Sequence, residues 1–124
     1  MPKKAIGIDI GGTGIKGGLV DTRGGVLVSS RIKKETPPGG EPEGIAGVVS
    51  DIVAGLGNRR DRPIGICFPA VVEDGVTKSA ANVSSRWIGF DAVQFFSREL
   101  HTKVFVVNDA DAAGYAETKF GAGK

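Results

Sequence analysis

The sequence has little cysteine, little histidine and little excess charge of either sign. Cys67 cannot form an internal disulfide by itself, and together with His101, the single histidine, it cannot complete a zinc site. The 16 lysines and arginines against 14 acidic residues leave a net charge of +2, which does not indicate a nucleic acid partner. No apolar run approaches the ~18 residues of a membrane span, and the first residues form no apolar leader. We therefore expect a reduced, soluble, cytoplasmic protein with no membrane partner.

Glycine is abundant, with 20 residues among 124, more than double its usual share of about 7%. The glycines follow no three-residue period, which excludes collagen. A hydrophobic content of 40% excludes bulk disorder. The length fits one small domain, and we assign residues 1–124 to it.

Buried apolar runs alternate with amphipathic segments along the chain. Residue Ile45 begins an apolar series at helical spacing, and Asp91 can cap a second helix. The expected order is strands at 5–10, 15–20 and 26–33, a helix at 42–57, a strand at 63–68, a hairpin or loop at 71–77, a helix at 92–100, a strand at 104–107 and a helix at 109–120. This order predicts an α/β fold with a mixed sheet flanked by helices.

An acid followed by a glycine turn ends the first strand. Literally, residues 12–17 match G-x-G-x-x-G, but a strand follows instead of a helix, so the dinucleotide-binding fingerprint fails. The turn at Gly11, Gly12 and Thr13 can present backbone N–H groups to a phosphate. Asp9 can hold Mg²⁺ through water, and Lys16 can add a positive charge. A tight hairpin turn explains the same glycines, and the residues alone leave both interpretations open.

Two further polar segments are candidates for a site. Asn108 and Asp109 follow a predicted strand, where either can cap the next helix or face the ligand crevice of an α/β sheet. In the second role Asp109 can accept a hydroxyl proton during phosphoryl transfer. Asn82 lies in a polar loop with Trp87 as an aromatic anchor, which by itself is a weak signal.

Taken together, these segments resemble the ROK family of sugar kinases and repressors, and within it the branch of polyphosphate glucokinases. The resemblance rests on GIDIGGTGIKGGLVD at 7–21, AANV at 80–83 with WIG at 87–89, NDADAAG at 108–114 and GAGK at 121–124. The motifs lie in the family's order and span nearly the whole chain, so the match is specific.

The resemblance implies an RNase H-like half-domain of the actin, hexokinase and Hsp70 superfamily. It assigns Asp9, Gly11, Gly12 and Thr13 to a phosphate and Mg²⁺ motif, with Lys16 beside them. It assigns Asn82, Asn108 and Asp109 to the sugar, with Asp109 as the catalytic base. The implied reaction moves a terminal phosphoryl group from polyphosphate, ATP or both to the 6-hydroxyl of glucose. A homodimer is also expected.

The sequence departs from the family at residues 69–70, where Pro-Ala replaces the usual Pro-Gly, and it lacks the second phosphate motif and the Glu-x-Gly-His-like segment. We therefore expect a C-terminal half after Lys124 and no activity from this chain alone. A non-catalytic sugar- or nucleotide-binding domain is the main alternative. A family repressor is disfavoured because eight residues precede Asp9, and an Hsp70-like ATPase because of the Asn108–Asp109 pair. If polyphosphate is the donor, at least one of the basic clusters at 31–34 and 59–62 is expected to line its path.

Overall fold

A computed structural model describes residues 4–23, 26–57, 62–80 and 82–108. Its elements, in chain order, are β1 (Lys4–Ile10), β2 (Gly14–Asp21), β3 (Ile32–Glu35), α1 (Pro42–Gly55), β4 (Ile64–Phe68), β5 (Val72–Glu73), β6 (Val76–Thr77), a 3₁₀ turn (Ser85–Trp87), β7 (Phe90–Asp91), α2 (Ala92–Leu100) and β8 (Val104–Asn108). No helix within these ranges is both long and apolar enough to cross a bilayer.

The main sheet has five strands in the order β3-β2-β1-β4-β8. β2 runs antiparallel to β1 and β3, whereas β1, β4 and β8 run parallel to one another. The carboxyl ends of three parallel strands consequently meet at one edge of the sheet, where α/β folds place their ligands. A small antiparallel sheet, β5-β6-β7, precedes α2.

The core lies between one face of the main sheet and the two helices. β1 contributes Ile6, Ile8 and Ile10 to it, all nearly inaccessible to solvent, because every second residue of a strand points to the same face. Gly17 of β2 keeps this face close to α1, since a Cβ at Gly17 would lie 2.5 Å from Cγ2 of Ile52. The second face of β1 and β2 carries Asp9 and Lys16.

Most of the expected elements are confirmed. The helical period beginning at Ile45 corresponds to α1, and the Asp91 carboxylate caps α2 by accepting a hydrogen bond from the Gln94 N–H at 3.0 Å. The 71–77 segment is a hairpin with Asp74 and Gly75 at positive φ, as its two-residue turn requires. The expected helix at 109–120 lies outside the described residues.

The third strand was expected at 26–33, and this is wrong. β3 spans only Ile32–Glu35, and the earlier segment keeps one isolated bridge, between Leu27 and Val20. The reason is that the Ser29 hydroxyl, instead of a backbone carbonyl, accepts the hydrogen bond from the Leu19 N–H at 2.9 Å. The ladder is therefore interrupted before Ile32.

Candidate active site

The loop between β1 and β2 is held by a hydrogen bond of its own backbone and by hydrogen bonds from Thr36. The Gly11 N–H donates to the Gly14 carbonyl at 2.9 Å. Thr36, just after β3, donates its hydroxyl to the Gly11 carbonyl at 2.6 Å and its N–H to the Thr13 carbonyl at 3.2 Å. Two loop carbonyls thereby bond to protein donors and not to a ligand, which favours anion binding because carbonyl oxygens repel a phosphate. The expectation that Gly11 offers its N–H to a phosphate is wrong, because this N–H is bonded to the Gly14 carbonyl.

Asp9 and Lys16 lie side by side next to this loop. They are direct cross-strand partners, and Lys16 Nζ lies 3.9 Å from Asp9 Oδ2. Their side chains are 52% and 42% exposed, so both charges remain accessible to a ligand. The pair combines one negative and one positive group beside a glycine loop, the arrangement expected of a site for a phosphate with its cation.

The residues fit Mg²⁺ only when a phosphate shares it. The described ranges contain no cluster of three or more carboxylates, histidines or cysteines that could hold a metal. Asp9 is the carboxylate adjoining the loop, and Mg²⁺ characteristically binds one or two carboxylates, several waters and substrate phosphates. These residues are therefore compatible with a Mg²⁺ ion that is shared with a bound phosphate.

Asn82 lies directly against the phosphate loop. A Cβ at Gly12 would lie 2.5 Å from the Asn82 Cβ and 3.2 Å from the Asn82 carbonyl oxygen. Asn82 itself has a φ of 64°, in the left-handed region that asparagine tolerates better than most residues. The structure thus brings together two candidate segments that are 70 residues apart in the sequence.

A buried tryptophan anchors the loop that carries Asn82. The Trp87 indole N–H donates to the Gly40 carbonyl at 2.8 Å, and the Ser84 N–H donates to the same oxygen at 3.2 Å. The Trp87 ring is fully buried and stacks on Phe96 with a centroid distance of 5.8 Å. The aromatic anchor expected at this position is confirmed, and it fixes the loop to the segment just before α1.

An ion-pair network that the sequence analysis missed ties the same loop to α1. Arg86 donates to Glu43 through two nitrogens, at 2.7 and 2.6 Å, and to Glu41 at 3.0 Å. The hydrogen bond from Arg86 lowers the pKa of the Glu43 carboxyl, and the two acids raise the pKa of the guanidinium. The partners are 43 and 45 residues apart, so no local pattern signals the network.

Asn108 ends β8 at the same edge of the sheet as Asp9. In the register of the parallel strands, Asp9 lies opposite Cys67, Cys67 opposite Val107, and Asn108 one position further along. β8 is two strands from β1, a distance of about 10 Å at ordinary strand spacing. Asp109, the expected base, lies outside the described residues.

Comparison with known proteins shows the family of the chain. The model of the ROK family matches residues 5–124. The chain belongs to the ROK family. It is 46% identical over 123 residues to a polyphosphate glucokinase of Mycobacterium tuberculosis, covering 98% of this chain and 46% of that protein. The chain thus spans about half the length of the curated relatives it matches.

Solved ROK structures confirm the fold. An inorganic polyphosphate/ATP-glucomannokinase from Arthrobacter sp. strain KM is 44% identical, with a TM-score of 0.85 over 99% of this chain and 51% of that one. A ROK family glucokinase from Streptomyces griseus, solved with glucose and AMPPNP, is 34% identical, with a TM-score of 0.75 over 98% and 38%. The expected RNase H-like architecture of the actin and hexokinase superfamily is therefore correct.

Proposed function

We propose that the full-length protein is a glucose kinase that moves the terminal phosphoryl group of polyphosphate, ATP or both to the 6-hydroxyl of glucose. The proposal is supported by relatives named for polyphosphate and glucose and by a solved neighbour named for both donors. Because the chain spans about half of those relatives, the activity is proposed for the whole protein.

One observation carries the proposal: Gly12 of the phosphate loop packs directly on Asn82. A kinase of this type must hold the donor's terminal phosphate and the sugar within reacting distance. The contact between the two candidate segments supports this requirement, because it places them next to each other. Asn108 ends a strand at the same sheet edge, where α/β folds place their ligands.

The roles follow from the chemistry of each group. The amides of Gly12 and Thr13 cradle the terminal phosphate, the Gly11 N–H closes the loop on the Gly14 carbonyl, and Lys16 balances the phosphate charge. Asn82 and Asn108 orient the sugar hydroxyls by hydrogen bonding. Since phosphoryl transfer has a loose transition state, positioning and charge neutralisation supply most of the acceleration.

Asp109 is proposed as the general base that accepts the proton of the attacking 6-hydroxyl. Asp9 would hold Mg²⁺ through water. When bound, that ion neutralises negative charge on the transferring phosphate. The half-exposed Asp9 and its neighbour Lys16 leave room for such an ion between protein and donor.

An acid-to-amide substitution tests the assignment of the base. In the full-length protein, Asp109→Asn should retain glucose binding by calorimetry and lose roughly 10²–10⁴-fold in turnover, the usual contribution of a general base. Asp51→Asn is the matched control, because Asp51 is an exposed acid on α1. Turnover of Asp109→Asn within about tenfold of wild type contradicts the assignment.

The alternative, a non-catalytic sugar- or nucleotide-binding domain, gives a different result in the same assay. It predicts calorimetric binding of glucose or nucleotide with no glucose 6-phosphate formed from either donor. The purified 124-residue chain should itself form no appreciable product, because a closed site that excludes water needs the remaining half. Robust product from that chain overturns the two-half interpretation. The homodimer and the cytoplasmic location stay predictions.

A further inference from the structure

Three basic side chains lie on the sheet face that carries Asp9. Ile15 and Gly17 of β2 point toward α1, so Lys16 between them points to the opposite face. Lys33 of β3 is the direct cross-strand partner of Lys16 and shares its face. Arg31 lies on that face as well, because a Cβ at Gly18 would lie 3.8 Å from the Arg31 Cγ.

We propose that this basic row, Lys16, Lys33 and Arg31, is the binding track for the tail of a polyphosphate donor. The inference rests on the proposed kinase function and adds the donor's route. Lys16 adjoins the phosphate loop, Lys33 follows about 5 Å away across the strand pair, and Arg31, just before β3, follows about 7 Å beyond Lys33. The row is therefore longer than the terminal phosphoryl group requires.

The side chain of Lys33 connects the row to the loop. Its Cε lies 3.8 Å from the position of a Cβ on Gly14, the first residue of β2 after the loop. Within the described part of the chain, neither Lys33 nor Arg31 forms an ion pair, and both residues are exposed. Their charges are therefore available to a polyanion instead of being neutralised by protein carboxylates.

The acids on the same face set the direction of the track. Asp9 pairs with Lys16, and Glu35 shares the face of Lys33 at the loop end of β3. A polyanion leaving the loop is repelled by Glu35 and attracted by Lys33 and then Arg31. Its tail consequently runs along β3 away from the loop.

The structure also excludes other basic residues from this role. Lys34 pairs with Ile15, so it lies on the helix-facing side of the sheet, although it is adjacent to Lys33 in sequence. Arg62 donates to the carbonyls of Gly57 at 2.9 Å and Leu56 at 3.3 Å and thereby caps the end of α1. Arg59 and Arg60 lie outside the described residues. Lys34 and Arg62 are therefore not part of the track, which is built from the cluster at 31–34.

The test compares Arg31→Gln/Lys33→Gln with Lys34→Gln in the full-length protein. Lys34→Gln is the matched control, because it removes the same charge from the same strand on the opposite face. For polyphosphate, kcat/KM of the double variant should fall at least tenfold at low salt, whereas for ATP it should stay within twofold. The dependence of log kcat/KM on log salt concentration should become shallower by about 0.7 per lost charge for polyphosphate only, a slope taken from single-stranded polyanions.

A binding measurement separates this proposal from the proposed function. Equilibrium binding of labelled polyphosphate is measured on the same variants without glucose. Equal salt slopes for both donors and unchanged polyphosphate binding in the double variant overturn the track and leave the kinase intact. Weaker binding in the double variant, together with no turnover from either donor, overturns the kinase function and retains the basic row as a polyphosphate site. Equal losses in Lys34→Gln overturn the assignment to one face.

Discussion

A single methyl group at Gly12 should separate the phosphate loop from the loop that carries Asn82. The added Cβ would lie 2.5 Å from the Asn82 Cβ, whereas carbon atoms in contact normally lie about 3.5–4.0 Å apart. A rotamer change cannot relieve the overlap, because the Asn82 Cβ and carbonyl oxygen are fixed by the backbone. The two loops must therefore move apart by about 1 Å.

Both loops are held, so the displacement reaches the site itself. Thr36 bonds to two carbonyls of the phosphate loop, while Trp87 and Ser84 bond the other loop to Gly40. A misplacement of about 1 Å can cost 10²-fold in rate, which corresponds to about 2.7 kcal/mol of transition-state stabilisation. We expect Gly12→Ala to lower kcat/KM for glucose by roughly 100-fold without loss of folding.

The assay is glucose phosphorylation by the full-length protein, with circular dichroism to confirm folding. Gly14→Ala is the control in the same segment, since its methyl would lie 3.7 Å from the nearest atom, the Lys34 carbonyl oxygen. A second check is Asn82→Gly, which removes the opposing Cβ and should reduce the effect of Gly12→Ala when the two are combined. If Gly12→Ala keeps kcat/KM within threefold of wild type, the reasoning about loop contact is refuted.

The remaining predictions concern stability and are measured by urea denaturation of the full-length protein. Trp87→Phe should lower the free energy of unfolding by about 1–3 kcal/mol, because the Gly40 carbonyl loses one hydrogen-bond donor and a fully buried side chain becomes smaller. An unchanged midpoint of urea denaturation would contradict this prediction. Gly17→Ala should lower the free energy of unfolding by about 1–3 kcal/mol, because the added methyl overpacks against α1. Gly47→Ala should raise it by about 0.5–1 kcal/mol, because Gly47 lies on the exposed side of that helix with open space around its Cβ. Equal effects of the two variants would disprove the packing argument. Arg86 lowers the pKa of Glu43 below its ordinary 4.5, so the wild type should be more stable than Glu43→Gln at neutral pH. This difference in stability should decline as the pH falls below 4.5 and should vanish below the lowered pKa. An advantage that is constant with pH would rule out the ion pair as its source.

The amino-acid sequence by itself determined the elements whose patterns are local. The apolar period from Ile45 specifies α1, because one buried face at 3.6-residue spacing identifies a helix without reference to other segments. Asp91 caps α2, and Asp74 and Gly75 turn a hairpin, through bonds and torsion angles within a few residues. The candidate residues at strand ends were also recognisable, since the motifs that contain them are contiguous.

The tertiary structure decided which of these residues meet and which face they occupy. The contact of Gly12 with Asn82 and the ion pairs of Arg86 depend on how distant segments pack, and no spacing in the chain records that packing. The different faces of Lys33 and Lys34 depend on strand register, because a shift of one residue exchanges the two faces. The late start of β3 depends on the Ser29 hydroxyl replacing a ladder acceptor for Leu19, a competition that side-chain pattern alone does not resolve.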